Sequence, residues 1–137
     1  MFHKESYLFQ TSFTDIAIDK INEPPFFEFT YSKKIIGVNQ RMTFNFKTKR
    51  LILNPSYRKS VESLRKFVIT KFLGSKTYKK VIVSISTQRN KQDIDACIKP
   101  ILDAMEGIVF ENDKQVEFLT VNKSGGEFGF IVRVWEV

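Results

Sequence analysis

The sequence predicts an α+β fold, in which a single domain has a mixed β-sheet with two main helices packed largely on one face. Patterns typical of strands and helices follow one another in the order β, ββ, α, β, α, ββ. The 137 residues are enough for one domain with a buried core, and 42% of them are hydrophobic. No segment reaches the length of continuous apolar sequence that a membrane helix needs. We therefore expect a cytoplasmic protein that does not bind membranes.

The first third of the chain predicts one strand and one hairpin. Residues 26–31 are typical of a strand, and residues 41–46 and 50–53 predict a hairpin around residues 47–49. Residues 1–25 form an N-terminal extension that is harder to assign. A short alternating pattern at 13–18 is broken by Asn22-Glu23-Pro24-Pro25, which suggests an arm or an added edge strand. With this extension, the predicted domain covers residues 1–137.

The middle and the end of the chain predict a helix and three strands. Asn54-Pro55 opens the helix, because proline is favoured at the first helical position, and Gly74 ends it. Residues 79–86 predict a strand that is buried on both faces. Residues 116–121 and 128–134 predict the last two strands. The segment 123–127, which contains two glycines, predicts a hairpin turn between them.

The stretch 93–116 carries the second main helix and most of the candidate chemistry. Its apolar residues recur at steps of three and four, which indicates an amphipathic helix, and Gly107 is placed as a C-terminal cap. Asp93 is placed as the N-cap. Pro100 would remove a backbone hydrogen bond from the interior of such a helix. The helix therefore begins either at Asp93 or near Lys99, with residues 93–98 as a shaped turn.

Charge and composition restrict the function. Lys and Arg number 22 against 15 Asp and Glu, so the net charge is +7, as in proteins that bind polyanions, although many small basic proteins have no such partner. Basic residues crowd the middle of the chain, and acidic residues gather in 93–117. The only cysteine, Cys97, is placed as a small buried hydrophobe. The only histidine, His3, lies near the start, which argues against His-based metal sites.

Three carboxylates are candidate metal ligands. Asp93 and Asp95 follow one predicted strand, and Asp113 precedes the next. If those strands are neighbours, the three side chains can meet at one edge of the sheet and bind Mg²⁺, which prefers hard oxygen ligands. Lys99, one turn beyond Asp95, could meet the charge that develops on a phosphate. Each residue alone has an ordinary alternative role, as a helix cap, a turn former or a solubilising surface charge.

The order and spacing of these residues together resemble the RusA family of Holliday-junction resolvases, which is common in prophages. The resemblance is close over 81–134 and looser over 26–72, and it is carried by Asp93, Asp95, Lys99, Asp103, Gly107, Asp113, Gln115, Val116 and Lys123. It implies that Asp93, Asp95 and Asp113 are catalytic ligands of Mg²⁺ or Mn²⁺ and that Lys99 assists catalysis. It also implies a homodimer that nicks four-way DNA junctions in recombination and repair.

Two residues depart from the family pattern. Ala96 stands where the family usually has Asn, so a hydrogen bond that could orient a carboxylate is missing. Asn112 replaces the first of two paired aspartates, which lowers the negative charge of the site, although its amide oxygen can still accept a hydrogen bond or bind a metal. We expect an active enzyme with an altered metal preference. A binding-only relative is the alternative.

Five basic residues are the candidate contacts to DNA phosphates: Arg41, Lys47, Lys49, Arg58 and Lys59. Phe44, Phe46 and Tyr57 lie among them and could stack on exposed bases, although aromatic residues in strands more often belong to the core. Three other functions remain open. The chain could bind junctions or other nucleic acids without cutting them, cut other branched DNA, or have no nucleic-acid role.

Overall fold

The structure, a computed structural model, describes residues 13–89 and 91–137. In this part of the chain there are three α-helices and six strands. The helices are α1 (Phe13–Lys20), α2 (Pro55–Lys71) and α3 (Ile98–Met105). The strands are β1 (Phe27–Tyr31), β2 (Met42–Asn45), β3 (Arg50–Leu53), β4 (Val81–Gln88), β5 (Val116–Ser124) and β6 (Gly129–Glu136). Short 3₁₀ turns occupy Val38–Gln40 and Asp113–Gln115.

The main sheet has four strands in the order β1-β6-β4-β5. β4 pairs in parallel with β5, whereas β6 runs antiparallel to both β1 and β4. This mixed sheet and its helices confirm the predicted α+β class. The predicted hairpin is also present, but its strands β2 and β3 form a separate two-stranded ribbon instead of joining the sheet.

The predicted hairpin between the last two strands is wrong. β5 and β6 do not pair with each other, because β4 lies between them and pairs with both. The glycine-containing segment after β5 therefore passes over the end of β4, where Gly126 lies close to the side chain of Gln88. Burial explains the arrangement: Val81, Ile82 and Val83 have no exposed surface, and a strand covered on both faces is suited to the interior of a sheet.

Helices α2 and α3 cover one face of the sheet and enclose the main core. Asn54 caps α2 by accepting a hydrogen bond from the N–H of Ser56 at 3.0 Å, and Pro55 follows it as predicted. The helix ends at Lys71, with Phe72 at its cap, and so stops before the predicted Gly74. Leu64 and Val68 of α2 pack with apolar residues of α3 and of four strands.

Helix α3 begins at Ile98, which confirms the second of the two predicted starts. Asp93 is not its N-cap, since Cys97 occupies that position without a capping side-chain bond. Pro100 accounts for this start, because in the first turn of a helix its missing N–H removes no hydrogen bond. At the other end Gly107 has a φ of +82°, as a C-terminal glycine cap requires. There the guanidinium of Arg65 donates to the carbonyl oxygen of Glu106 at 2.7 Å.

A smaller cluster lies on the opposite face of the sheet. Ala17 of α1 packs there with Ile82 and Trp135, and the indole N–H donates to the carbonyl oxygen of Glu23 at 2.9 Å. The added edge strand, one of the two alternatives for residues 1–25, is therefore not formed by residues 13–20, because Phe13–Lys20 is helical. Residues 1–12 of the predicted extension, with His3, lie outside the described residues. No helix of the described chain has both the length and the apolar character needed to cross a membrane.

Candidate active site

Asp93 and Asp95 lie in a turn that connects the end of β4 to α3. The turn is held by its backbone: the carbonyl of Asp93 accepts from the N–H of Ala96 at 3.0 Å, and that of Asp95 accepts from the N–H of Ile98 at 3.2 Å. Both aspartate side chains are exposed. Within residues 13–89 and 91–137, neither carboxylate has a hydrogen bond or an ion pair. Both are therefore available to a ligand.

Lys99 connects two acidic residues from different parts of the chain. Its ammonium nitrogen lies 2.9 Å from the carboxylate of Asp103, one turn further along α3, and 3.8 Å from that of Asp113. The hydrogen bond that Lys99 donates to Asp103, together with the charges of Asp103 and Asp113, raises the pKa of Lys99 above its usual value. The side chain therefore carries a full positive charge at neutral pH.

Asp113 is positioned by a capped 3₁₀ turn. The amide oxygen of Asn112 accepts from the N–H of Lys114 at 2.9 Å, and the Oε1 of Gln115 accepts from the N–H of Asn112 at 2.9 Å. The N–H of Asp113 itself donates to the carboxylate of Glu106 at 3.1 Å. Asn112 is thus a capping residue, which gives it a structural role that does not depend on a negative charge.

Neighbouring strands were expected to bring the three aspartates together at one edge of the sheet. β4 and β5 are neighbours, but they are parallel: Val81 pairs with Val116, and Gln88 pairs with Ser124. The chain leaves β4 toward Asp93 at one end of this pair and enters β5 from Asp113 at the other end. What brings Asp113 close to the site is its contact with Lys99 on the returning helix α3.

The donor chemistry suits Mg²⁺, but the described side chains do not gather around a common point. Across residues 13–89 and 91–137, no group of three or more Asp, Glu, His or Cys side chains is arranged to bind a metal ion. Asp113 instead faces the positive charge of Lys99. The three-carboxylate metal site formed by Asp93, Asp95 and Asp113 therefore stays a prediction.

Ala96 fills a tight contact. It is 3% exposed, and a Cβ atom added to Gly37 would lie 3.0 Å from the Cβ of Ala96. The N–H of Val38 also donates to the carbonyl oxygen of Ala96 at 3.0 Å. The loop 37–40 is thus packed directly on the turn that carries the two aspartates, and the small side chain of Ala96 suits that close approach.

A cleft of about 390 Å³ brings Lys99 together with two of the predicted DNA contacts, Arg41 and Arg58. Arg41 reaches this place because its carbonyl oxygen accepts from the N–H of Asn54 at the start of α2. Of the other predicted contacts, Lys47 and Lys49 lie at the tip of the β2–β3 ribbon, and Lys59 is exposed on α2. The structure therefore gathers two of the five predicted contacts beside Lys99.

Tyr57 forms part of the wall of this cleft. The residue is 4% exposed, and no described residue forms a hydrogen bond with its buried hydroxyl. Burial raises the pKa of Tyr57, and the charge of Asp103 raises it further, against the opposite effects of Arg41 and Lys99. Tyr57 is thus a neutral residue of the core. In this position its ring presents little surface on which a DNA base could stack.

Cys97 has no role in this chemistry. It is 1% exposed, and burial raises its pKa to about 11. A buried thiol that stays protonated is a poor nucleophile and a poor metal ligand. The prediction of a small buried hydrophobe is confirmed.

A second concavity, of about 420 Å³, was not found from the sequence. It lies beside the end of β4, and we call it the β4-end groove. Its charged and exposed aromatic residues are Lys34, Arg89, Lys91 and Phe128. The sequence contains part of the signal for this groove, because Arg89 and Lys91 lie shortly before Asp93. Phe128 could not be associated with them, since it is distant in sequence and reaches the groove only through the pairing of β6 with β4.

The comparison with protein families identifies the family of the chain. The family model of endodeoxyribonuclease RusA matches residues 40–134. The chain belongs to the RusA endodeoxyribonuclease family. The region matched to RusA contains Arg41, helices α2 and α3, and all of the residues predicted to be catalytic, whereas β1 and Lys34 precede it. A search of curated proteins gives no match.

Proposed function

We propose that this RusA-family chain is a metal-dependent, structure-selective endodeoxyribonuclease that resolves Holliday junctions by paired nicks in DNA recombination and repair. The observation that carries the proposal is the contact of Lys99 with Asp113, because it joins two predicted catalytic residues from different elements. Family membership supports the endonuclease class. DNA as the substrate is in keeping with the cytoplasmic location expected from the sequence.

The proposed catalytic residues are Asp93, Asp95, Lys99 and Asp113. The carboxylates of Asp93, Asp95 and Asp113 are proposed to bind Mg²⁺ or Mn²⁺, with support from the exposed and unengaged side chains of Asp93 and Asp95. When bound, such an ion polarises a phosphodiester and lowers the pKa of a water molecule. Among the described residues, these three side chains are not gathered around one point.

The chain's own residues supply positive charge and orientation. Lys99 is held by Asp103 at 2.9 Å, so its ammonium group is fixed before a substrate arrives and can stabilise the extra negative charge on a phosphate under attack. Arg41 and Arg58, in the same cleft, would bind neighbouring phosphates. Lys47, Lys49 and Lys59 would extend this contact along the DNA without reading its sequence.

We propose that the active form is a homodimer. A four-way junction has approximate two-fold symmetry, and paired nicks need two active sites related in the same way. The β2–β3 ribbon offers a surface for this contact: Phe44 and Leu51 pair across it on one face and are 45% and 68% exposed. A two-stranded ribbon is marginally stable alone, so covering this apolar face with the ribbon of a second copy would stabilise both.

The test is cleavage of a labelled four-way junction and of the matching linear duplex, with Mg²⁺, with Mn²⁺ or with EDTA. We expect paired nicks in the junction alone, and their loss in EDTA. Asp95→Asn should abolish cleavage and leave junction binding intact, since the exposed side chain has no structural partner among the described residues. Cleavage that persists in this variant would overturn the assignment of the carboxylates.

A binding-only junction protein of the same fold is the second candidate. The observation that favours it is the lack of a gathered metal site within residues 13–89 and 91–137, together with Ala96 at the usual position of Asn. It predicts tight, salt-sensitive binding to junctions without cutting in any metal. Cutting of flaps or forks in preference to four-way junctions would instead keep the nuclease chemistry and change the substrate.

A further inference from the structure

The β4-end groove has a strongly basic lining. Lys34, Arg89 and Lys91 contribute three positive charges, and no acidic residue lines the groove. None of the three forms an ion pair with any carboxylate of the described chain. Three like charges around one concavity repel one another, and bound anionic groups would relieve that repulsion.

An aromatic side chain lies beside these charges. Phe128 is 36% exposed, and its ring meets the buried ring of Phe130 at a centroid distance of 5.8 Å and an interplanar angle of 83°. Because Phe130 is held in the core, this edge-to-face contact limits the orientations that Phe128 can adopt. The groove therefore combines positive charge with a supported aromatic ring, the two features that single-stranded nucleic acids need.

The groove leads to the candidate active site. A third, smaller concavity of about 240 Å³ shares Gln40, Lys91 and Gln92 with the groove and is also lined by Asp93. The amide nitrogen of Gln92 donates to the carbonyl oxygen of Ile35 at 3.1 Å, which fixes the segment that contains Lys34 and Ile35 against the residues before Asp93. A strand of DNA in the groove would thus continue directly to one of the proposed metal ligands.

We propose that the β4-end groove binds one unpaired nucleotide of the branched DNA, next to the phosphodiester that is cut. The base stacks on Phe128, and the flanking phosphates contact Lys34, Arg89 and Lys91. The volume of about 420 Å³ lies within the range of pockets for small molecules and suits a single nucleotide better than a base pair. This inference rests on the proposed function only in taking DNA as the substrate, and it assigns residues outside the predicted catalytic and phosphate-binding sets.

The test measures binding in EDTA, so that cleavage does not interfere. The fluorescence anisotropy of a labelled oligothymidylate and of a labelled four-way junction gives the two dissociation constants. Phe128→Leu keeps an apolar side chain but removes the ring. It should weaken single-strand binding by about 5- to 100-fold, the effect of losing one stacked base. Lys91→Gln should reduce the salt dependence of the same binding by about one phosphate contact.

Tyr78→Leu is the matched control. Tyr78 is 72% exposed and also has a lysine beside its ring, Lys76 at 5.5 Å, but it lies just before the start of β4, at the opposite end of the strand from Phe128. This variant should bind oligothymidylate like the wild type. Circular dichroism should show that both variants are folded, since each change is made at an exposed ring.

The outcomes separate the two proposals. Equal losses in Phe128→Leu and Tyr78→Leu, or no loss in either, would overturn the nucleotide site. Junction cleavage by a wild-type protein that does not bind oligothymidylate would also overturn it and leave the proposed nuclease function standing. A wild-type protein that binds no DNA at low salt would overturn both.

Discussion

The ammonium group of Lys99 lies 3.8 Å from a carboxylate oxygen of Asp113, and this contact joins the first turn of α3 to the turn before β5. Asp103 also contacts this ammonium group, at 2.9 Å. A lysine shared by two carboxylates is fixed in place, but it still has hydrogens to donate to a phosphate. Lys99 is therefore the residue on which the catalytic proposal can be tested most directly.

Replacing Lys99 by Met should lower kcat for junction cleavage by about 10²- to 10³-fold, because a charge aimed at the reacting phosphate is lost. Asp103→Asn should lower kcat by a smaller factor with little change in KM, since the lysine keeps its charge and loses its orientation. Asp103→Glu, which restores the carboxylate, should recover part of the activity. Single-turnover kinetics measure all three, and a change in KM alone would show that Asp103 does not act through Lys99.

Tyr57→Phe should leave the free energy of unfolding unchanged or raise it by up to about 1–3 kcal/mol, because a buried hydroxyl without a partner costs about that much. Tyr57 is 4% exposed, and no described residue forms a hydrogen bond with its hydroxyl. Tyr31→Phe is the control, since Tyr31 is equally buried as a residue, yet its hydroxyl is not among the unsatisfied buried atoms of the described chain. Denaturant unfolding gives both values. A clear loss of stability in Tyr57→Phe would reveal a hydrogen bond that the structure does not contain.

Gly37→Ala should destabilise the protein by about 1–3 kcal/mol, the usual range for overpacking in a close contact. The φ of Gly37 is −72°, which any residue can adopt, so the cost comes from the added Cβ, which would lie 3.0 Å from the Cβ of Ala96 and 3.4 Å from the Oε1 of Gln92. Gly125→Ala should change stability by less than about 0.5 kcal/mol, because a Cβ there meets no atom of the described structure within 4 Å. Thermal unfolding of the pair measures the difference. Equal effects would mean that the loop moves away from the aspartate turn at no cost.

Leu51→Lys should convert a dimer to a monomer, because a charge placed in an apolar interface is costly to bury. Leu73→Lys is the control, since Leu73 is 93% exposed and lies outside the ribbon. Sedimentation equilibrium at micromolar concentration distinguishes the two states. A wild-type protein that is already monomeric would contradict the dimer proposal, and a dimeric Leu51→Lys would move the interface elsewhere.

Local sequence signals predicted the elements that depend on local chemistry. Asn54-Pro55 marked the start of α2, and Pro100 indicated where α3 could begin, because both effects act within one helical turn. The alternation at 13–18 misled, since its apolar residues belong to a short helix against Trp135. The two glycines before β6 resembled a hairpin turn, but the pairing of β4 with both neighbours outweighed that local preference.

The residues of the candidate site could be named from the sequence, but their arrangement could not. The spacing from Asp93 to Asp113 points to the candidate residues, whereas the distance between them in the fold depends on strand direction, which no local pattern specifies. The parallel pairing of β4 with β5 places the two ends of the motif at opposite ends of the strand pair. The β4-end groove was missed for the same reason, because Lys34 and Phe128 are brought together only by the tertiary fold.

The position of β6 has a consequence for how the chain folds. It is the last of the six strands in sequence, yet it lies between β1 and β4, and its register joins Phe27 to Val134. Until β6 inserts, β1 has no partner in the sheet, and one edge of β4 presents unpaired amide and carbonyl groups. Such contacts between distant segments form slowly. During synthesis on a ribosome, the nascent chain would therefore expose an adhesive strand edge until its final strand emerges, which makes this stage the one most prone to aggregation.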